Sequence, residues 1–361
     1  MFKNFFLKTL VKLFQGKKGG NPEHFLVVST TGLGDTLWAT PAIKALREKH
    51  PHAYIAVLTT KLGKDVLSLN PHIDEIFLTK NFFSLKQKKF HTIYIFHTSQ
   101  RLILPLCALL GSTEIIGTEG INKGLDDLLT QKIPQKYQHE VTRRCEIASV
   151  KTDGGLEFFI DQKTQDQINS FLAKHTGPFI GIHPGAKDKF KQWDPECFVK
   201  VGNMLRKKLG CNIFITGNEK EKLLAESIAS QIEGAISLAG QFGLKATAAL
   251  ISKFSVMLAN DTGPMHLAFA VNTPTVALFA PTDPHLCGPL PSAKAIVIDK
   301  AKTCRACLKK KCQEPFCLLQ ISPEEVYSAI IKLLLDEEKS GHARGHGHGY
   351  EREDKVFLGA K

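Results

Sequence analysis

Two stretches of this chain follow one grammar, and that repetition limits the folds open to it. In the first, Phe25–Ser29 is a short apolar run, the loop Thr30 to Asp35 follows, and a helical stretch continues to about Lys49. Tyr54–Leu58 and Thr92–Phe96 are further short apolar runs, with helical stretches between them. The second restarts at Phe179–His183, with a helix from Pro195 to about Leu209, a strand at Asn212–Thr216 and a helix from about Glu219 to Ile232. Strands at Ser255–Leu258 and Thr273–Phe279 come next, then a closing helix over Pro323–Lys339, with Ser322 as its N-cap and Glu325 completing a capping box. Apolar runs of this length, spaced by helices, predict parallel sheets covered on both faces. The expected class is α/β: two Rossmann-like domains facing a cleft, joined through about Asp161 to Gly177. The boundaries read as a basic amphipathic segment over 1–20, a first domain over 21–165, a second over 166–339 and a tail over 340–361.

Length supports this division, since 361 residues suffice for two cores. The formal charge is +12, and Lys3, Lys8, Lys12, Lys17 and Lys18 contribute five of those charges with no acidic residue among them. Such an excess suits acidic substrates or an anionic membrane surface. With no arginine-rich arm or base-stacking motif, nucleic acid is not an expected partner. No run reaches the length of a membrane span, and Lys3, Lys8 and Lys12 break the first apolar stretch in a way a signal peptide does not. The expected location is the cytoplasm. On a helical wheel Phe2, Phe5, Phe6, Leu7, Leu10, Val11, Leu13 and Phe14 fill a wide apolar arc, opposite Asn4, Lys8, Lys12 and Gln15. This fits either a helix lying on the inner face of a membrane or one packed on the protein's own body. Gly19-Gly20-Asn21-Pro22 reads as a linker after it. The Gly- and His-rich tail from Ser340 reads as disordered, open to adventitious metal binding and without a catalytic role.

Three loops and one helix start carry the chemistry. Asn260-Asp261-Thr262-Gly263-Pro264-Met265-His266 reads as strand, turn, helix, with Gly263 in the turn and Pro264 at the first helical position. Free N–H groups and the positive dipole end of such a helix suit a phosphate. The loop Thr31-Gly32-Leu33-Gly34-Asp35 follows the first strand, and Gly32 and Gly34 allow a ligand close to the backbone. A dinucleotide fingerprint needs a third glycine where Leu37 stands, and an acidic ribose partner where Thr59-Thr60 stands. This disfavours a nicotinamide cofactor. Asp35 is then either a first-turn helix acid or a general base. His183-Pro184-Gly185 is followed by Lys187, Lys189, Lys191 and Trp193, and Lys191 is the expected phosphate contact. Pro281-Thr282-Asp283-Pro284 adds a turn after the Thr273–Phe279 strand.

These motifs, in this order, resemble glycosyltransferase family 9, the bacterial heptosyltransferases. The residues that carry the resemblance are Gly34-Asp35-x-Leu37-x-x-Thr40-Pro41, His183-Pro184-Gly185 with Lys191-x-Trp193, Asp261-Thr262-Gly263-Pro264-x-His266 and Pro281-Thr282-Asp283-Pro284. The resemblance implies the GT-B fold and transfer of a heptose from ADP-heptose, with inversion, to the inner core of lipopolysaccharide. The acceptor is then of the lipid A/Kdo type, and the enzyme is peripheral at the inner face of the cytoplasmic membrane. By the same resemblance Asp35 is the catalytic base, Lys191 contacts the donor's phosphates and Asp261 binds the heptose. Thr262, Gly263 and His266 cradle the pyrophosphate, beside Pro264, His183 and Gly185. No cofactor or metal is expected, because lysine and the helix dipole stabilise the leaving group. Acceptor contacts fall in loops such as Asn81 to Lys89 and Gly117 to Lys136.

Alternatives remain at this level. One is a family 9 enzyme with another nucleotide sugar or lipid-linked acceptor. Others are a NAD-dependent oxidoreductase and a non-catalytic nucleotide-binding module. Cys304, Cys307, Cys312 and Cys317 are open to a structural zinc site, free thiols or disulfides. The resemblance, which includes similar cysteine runs, implies a structural role for them.

Overall fold

A computed structural model describes residues 2–14, 19–97, 100–280, 282–300 and 316–339. The chain divides into two compact units. The first runs to Gln162 and takes in Phe269–Val271 and Asp283–Ala293. The second comprises Lys163–Ala268, Asn272–Thr282 and the chain from Lys294 onward.

The first unit holds strands β1 (Asn21–Ser29), β2 (Tyr54–Thr59), β3 (Glu75–Leu78), β4 (Phe90–His97), β5 (Glu114–Thr118) and β6 (Gln131–Ile133). They form one parallel sheet in the order β3-β2-β1-β4-β5-β6. Leu26, Val27 and Val28 are all fully buried, which explains why β1 is continuously apolar: helices cover both faces of the sheet. After β3 the chain crosses back to the other side of β1, so β1 and β4 are neighbours at the point where the winding reverses. In open parallel sheets, ligands bind beyond the carboxyl ends of the strands at such a reversal.

The second unit repeats the plan with β7 (Phe179–His183), β8 (Asn212–Ile215), β9 (Ile236–Ser237), β10 (Val256–Asn260), β11 (Thr275–Phe279) and β12 (Ala295–Asp299). Its order, β9-β8-β7-β10-β11-β12, places the reversal between β7 and β10. The helix Pro195–Leu209 is capped by Asp194, whose Oδ1 accepts from the Glu196 N–H at 2.9 Å, and it buries Phe198, Val201 and Leu205. The closing helix Pro323–Lys339 adds Val326, Ile330 and Leu334 to the same core, and the Glu325 N–H donates to Ser322 Oγ at 3.1 Å.

Several expectations shift. Strands β3, β5, β6, β9 and β12 escaped the sequence pattern; β6 and β9, of three and two residues at sheet edges, are too short to give one. Asn21 and Pro22 belong to β1, and a Cβ on Gly20 would lie 2.3 Å from the Phe90 carbonyl oxygen, so this stretch is packed strand rather than linker. The stretch after Asp35 is two helices, Leu33–Leu37 and Thr40–Lys49. The Asn81–Lys89 segment is short helical turns with Phe82 and Leu85 in the core. Gly117–Lys136 contains the end of β5 and all of β6. The join at Asp161 to Gly177 carries the helix Gln162–Leu172.

The helix Phe2–Phe14 lies against the first unit. Val11 is buried, the Asn4 Nδ2 donates to the Lys123 carbonyl at 2.9 Å, and Lys8 Nζ pairs with Asp127 Oδ2 at 2.5 Å. Asn4 and Lys8, placed by the wheel on the free polar face, thus turn toward the protein, while Phe6 and Leu13 are exposed. Among the described residues no helix is long and apolar enough to cross a membrane. The tail from Ser340 lies outside the described residues.

Candidate active site

In the second unit the site grows from the end of β10. The Asn260 side chain is completely buried; its Oδ1 accepts from the Trp193 N–H at 3.1 Å and its Nδ2 donates to the Pro184 carbonyl at 2.9 Å. One amide therefore ties the loop after β7 to the end of β10, with each bond worth about 1 kcal/mol. Trp193 anchors the same loop, its indole N–H donating to the Ile321 carbonyl at 3.1 Å. Between these anchors a single 3-10 turn, Lys189–Lys191, brings Lys191 Nζ to 2.5 Å from Asp261 Oδ2. Asp261 is 5% exposed, its backbone N–H bonds the Leu278 carbonyl at 3.1 Å, and Thr282 Oγ1 donates to the same Oδ2. A carboxylate this buried needs such partners, because an unpaired buried charge is strongly unfavourable.

The helix Gly263–Ala270 starts immediately beyond Asp261 and Thr262. Gly263 is its first residue and Pro264 its second, one position later than the sequence pattern suggests. His266 is buried in the first turn. At the end of β7, Thr216 Oγ1 donates to the Ile182 carbonyl at 3.3 Å, so His183 donates through Nδ1 to that hydroxyl at 3.1 Å. Burial holds the His183 imidazole below its ordinary value, and it is therefore neutral near pH 7. Gly185 lacks the positive φ that demands glycine, so something else excludes a side chain there. The reason is contact: a Cβ there would lie 2.1 Å from Glu221 Oε1, whose carboxylate caps the Asn218 N–H at 2.8 Å.

In the first unit the candidate residues lie past the end of β1, the strand that corresponds to β7. Gly32 is the N-cap of the helix Leu33–Leu37, Gly34 lies within it, and Asp35 is its third residue. Asp35 Oδ2 accepts from the Gly32 N–H at 3.4 Å, and Oδ1 lies 3.5 Å from Arg144 Nη2. Both contacts are long, and the Asp35 side chain is 28% exposed. Arg144 is fully buried; it donates to Glu140 Oε2 at 2.6 Å, and its guanidinium lies 5.5 Å from the centre of the Trp38 ring. His97 ends β4 opposite Ser29. Burial depresses its imidazole while the Asp35 charge pulls it upward.

The fold thus places Lys191 on Asp261, and runs Thr262, Gly263, Pro264 and His266 on from there. His183 and Gly185 end the adjacent strand, and Gly32, Gly34 and Asp35 occupy the matching place in the other unit. Sequence reasoning missed the Asn260 amide, the bond from Thr282, and the Arg144, Glu140 and His97 shell of Asp35. Only His97 had a signal, its place one residue past a predicted strand. Cys304, Cys307, Cys312 and Pro281 lie outside the described residues. Cys317 is buried, and its thiol donates to the Ala280 carbonyl at 3.2 Å. Among the described residues no three His, Cys, Asp or Glu side chains group as metal ligands.

The family model "Glycosyltransferase family 9 (heptosyltransferase)" matches residues 107–317, more than half of the chain. The chain belongs to glycosyltransferase family 9. It is therefore a glycosyltransferase, and the doubly wound order of both sheets is that of a family 9 enzyme. It is 25% identical over 349 residues to lipopolysaccharide heptosyltransferase 2 of Escherichia coli K12, covering 87% of this chain and 99% of that relative. The solved family 9 glycosyl transferase from Veillonella parvula superposes with a TM-score of 0.77 at 22% identity, over 87% of this chain and 97% of that one. The E. coli ADP-heptose lps heptosyltransferase II structure gives 0.74 at 22% identity, over 87% and 99%. These likenesses establish the α/β fold as the GT-B fold of that family.

Proposed function

We propose that this family 9 enzyme transfers a heptose from ADP-heptose to the inner core of lipopolysaccharide, with inversion at the anomeric carbon. Two findings support the substrates: the lipopolysaccharide named for its E. coli relative and the ADP-heptose named for the superposable structure. The observation that carries the mechanism is the state of two carboxylates. Asp35 is partly exposed and, among the described residues, held only by contacts of 3.4 and 3.5 Å, so its lone pairs are available; Asp261 is buried and already paired with Lys191.

In this reading Asp35 takes the proton of an acceptor hydroxyl as its oxygen attacks the anomeric carbon. The bond to the donor diphosphate breaks, and ADP leaves with the electron pair. Lys191 and the N–H groups at the start of Gly263–Ala270 stabilise that charge, with Thr262 and His266 beside it. Asp261 binds the heptose, Pro264 sets the helix start, and His183 and Gly185 shape the end of β7. Residues 21–165 hold the acceptor, of the lipid A/Kdo type, and 166–339 hold the donor. The exposed Phe6 and Leu13, with the early lysines, seat the enzyme on the inner face of the cytoplasmic membrane.

The test is Asp35→Asn, whose amide oxygen still accepts from the Gly32 N–H but cannot take the proton. Transfer should collapse while ADP-heptose affinity, read by calorimetry, is kept; unchanged turnover sinks the assignment. A thermal-shift screen of ADP-heptose against UDP-, GDP- and dTDP-sugars and NAD tests the donor, and stabilisation by NAD alone overturns it. Deletion of residues 2–14 should reduce binding to anionic liposomes.

A further inference from the structure

We infer that Thr282 is a positioning residue for the donor sugar, because it fixes which oxygen of Asp261 faces the ligand. This rests on the reading of Asp261 as the ligand of the donor's sugar. A carboxylate offers two oxygens with about four lone-pair sites. Here both donors converge on one oxygen: Lys191 Nζ and Thr282 Oγ1 reach Asp261 Oδ2.

The two donors differ in what they are able to enforce. The lysine ammonium is a compact charge on a flexible stem and follows the carboxylate as it rotates. Thr282 is short and stiff at χ1. It stands just past the end of β11, whose register against β10 pairs Asn260 with Leu278. The same strand also holds the Asp261 backbone, through the Leu278 carbonyl. Backbone and side chain of Asp261 are thus referenced to β11, and the carboxylate plane is set by the threonine. Oδ1 is left to accept from hydroxyls of a polyhydroxylated sugar. Lys191, with its charge partly spent on Oδ2, neutralises the site so that the diphosphate approaches without repulsion from Asp261.

ADP and ADP-heptose separate this role from a structural one, because only the second carries the sugar. Both are titrated calorimetrically into the full chain as wild type, Asp261→Asn, Thr282→Val and Thr282→Ser, with donor KM and kcat measured alongside. Thr282→Val should weaken ADP-heptose about 10-fold, the loss of one hydrogen bond to a charged group. ADP affinity should change less than about 2-fold, and the effect should appear in KM rather than kcat. Thr282→Ser should restore most of it. Equal weakening of ADP and ADP-heptose assigns Thr282 to the fold alone and overturns the inference. So does wild-type sugar-nucleotide binding by Thr282→Val when Asp261→Asn is impaired, and Asp261 then keeps its role. Wild-type binding by Asp261→Asn brings down both readings.

Discussion

Each unit carries a carboxylate past a strand that flanks the reversal of its sheet, β1 in the first and β10 in the second, and the two are treated in opposite ways. Asp35 in the first is partly exposed and meets its partners at 3.4 and 3.5 Å. Asp261 in the second is almost fully buried and locked by Lys191 at 2.5 Å and by Thr282. A proton acceptor needs an open lone pair and a carboxylate free to gain a proton. A sugar ligand needs a fixed orientation and a compensated charge. One topology serves both, and what separates them is how many donors the surrounding loops supply.

The contrast breaks most sharply at Asp35→Asn. Transfer should fall about 10²–10⁴-fold, the usual share of a general base, with the unfolding midpoint nearly unchanged because so little is bonded to that side chain. Activity close to wild type would reduce Asp35 to a helix-capping acid. Lys191→Met should act on both stability and donor affinity. It strands a buried carboxylate with Thr282 as its remaining side-chain partner, which costs about 2–3 kcal/mol by chemical denaturation, below the full buried-pair figure because Lys191 is partly open to solvent. A loss of less than about 0.5 kcal/mol would mean that Asp261 is less dependent on its partner than the geometry implies.

Gly185→Ala should cost about 1–2 kcal/mol, since the added Cβ displaces the Glu221 carboxylate from Asn218. Gly32→Ala should cost less than about 1 kcal/mol, because its nearest neighbour would be Asp35 Oδ2 at 3.7 Å. The reverse order would mean that the two loops are packed the other way round. The smallest effect is with pH. Burial holds His97 and His139 in the first unit, and His183 in the second, below their ordinary value of 6.5. As pH falls below that value the unfolded chain takes up protons first, so stability is full above it and declines toward the depressed folded values. Both units should therefore lose amide-exchange protection as pH falls from 7 to 5, and a unit whose protection is unchanged owes no stability to its neutral buried histidine.

Much of this was visible in the sequence. The β1, β2, β4, β7, β8, β10 and β11 strands announce themselves as apolar runs, and the helix Pro323–Lys339 through its cap. Both carry their signal locally. The strands β6 and β9 do not, because three residues and two residues are defined by the neighbour they pair with. The N-terminal helix shows the same limit: its periodicity is plain, but which face meets the protein depends on Lys123 and Asp127, more than a hundred residues away.

The sequence by itself determined the class, the doubly wound halves and the residue types at the strand ends, because periodicity, caps and glycine-rich loops are properties of neighbours in the chain. Only the tertiary structure decided that Lys191 meets Asp261 across 70 positions, that Thr282 joins them, and that Arg144 lies under Asp35 from 109 positions away. Those partners are chosen by the order of strands in the sheets, and the energy of a charge depends on what surrounds it in space.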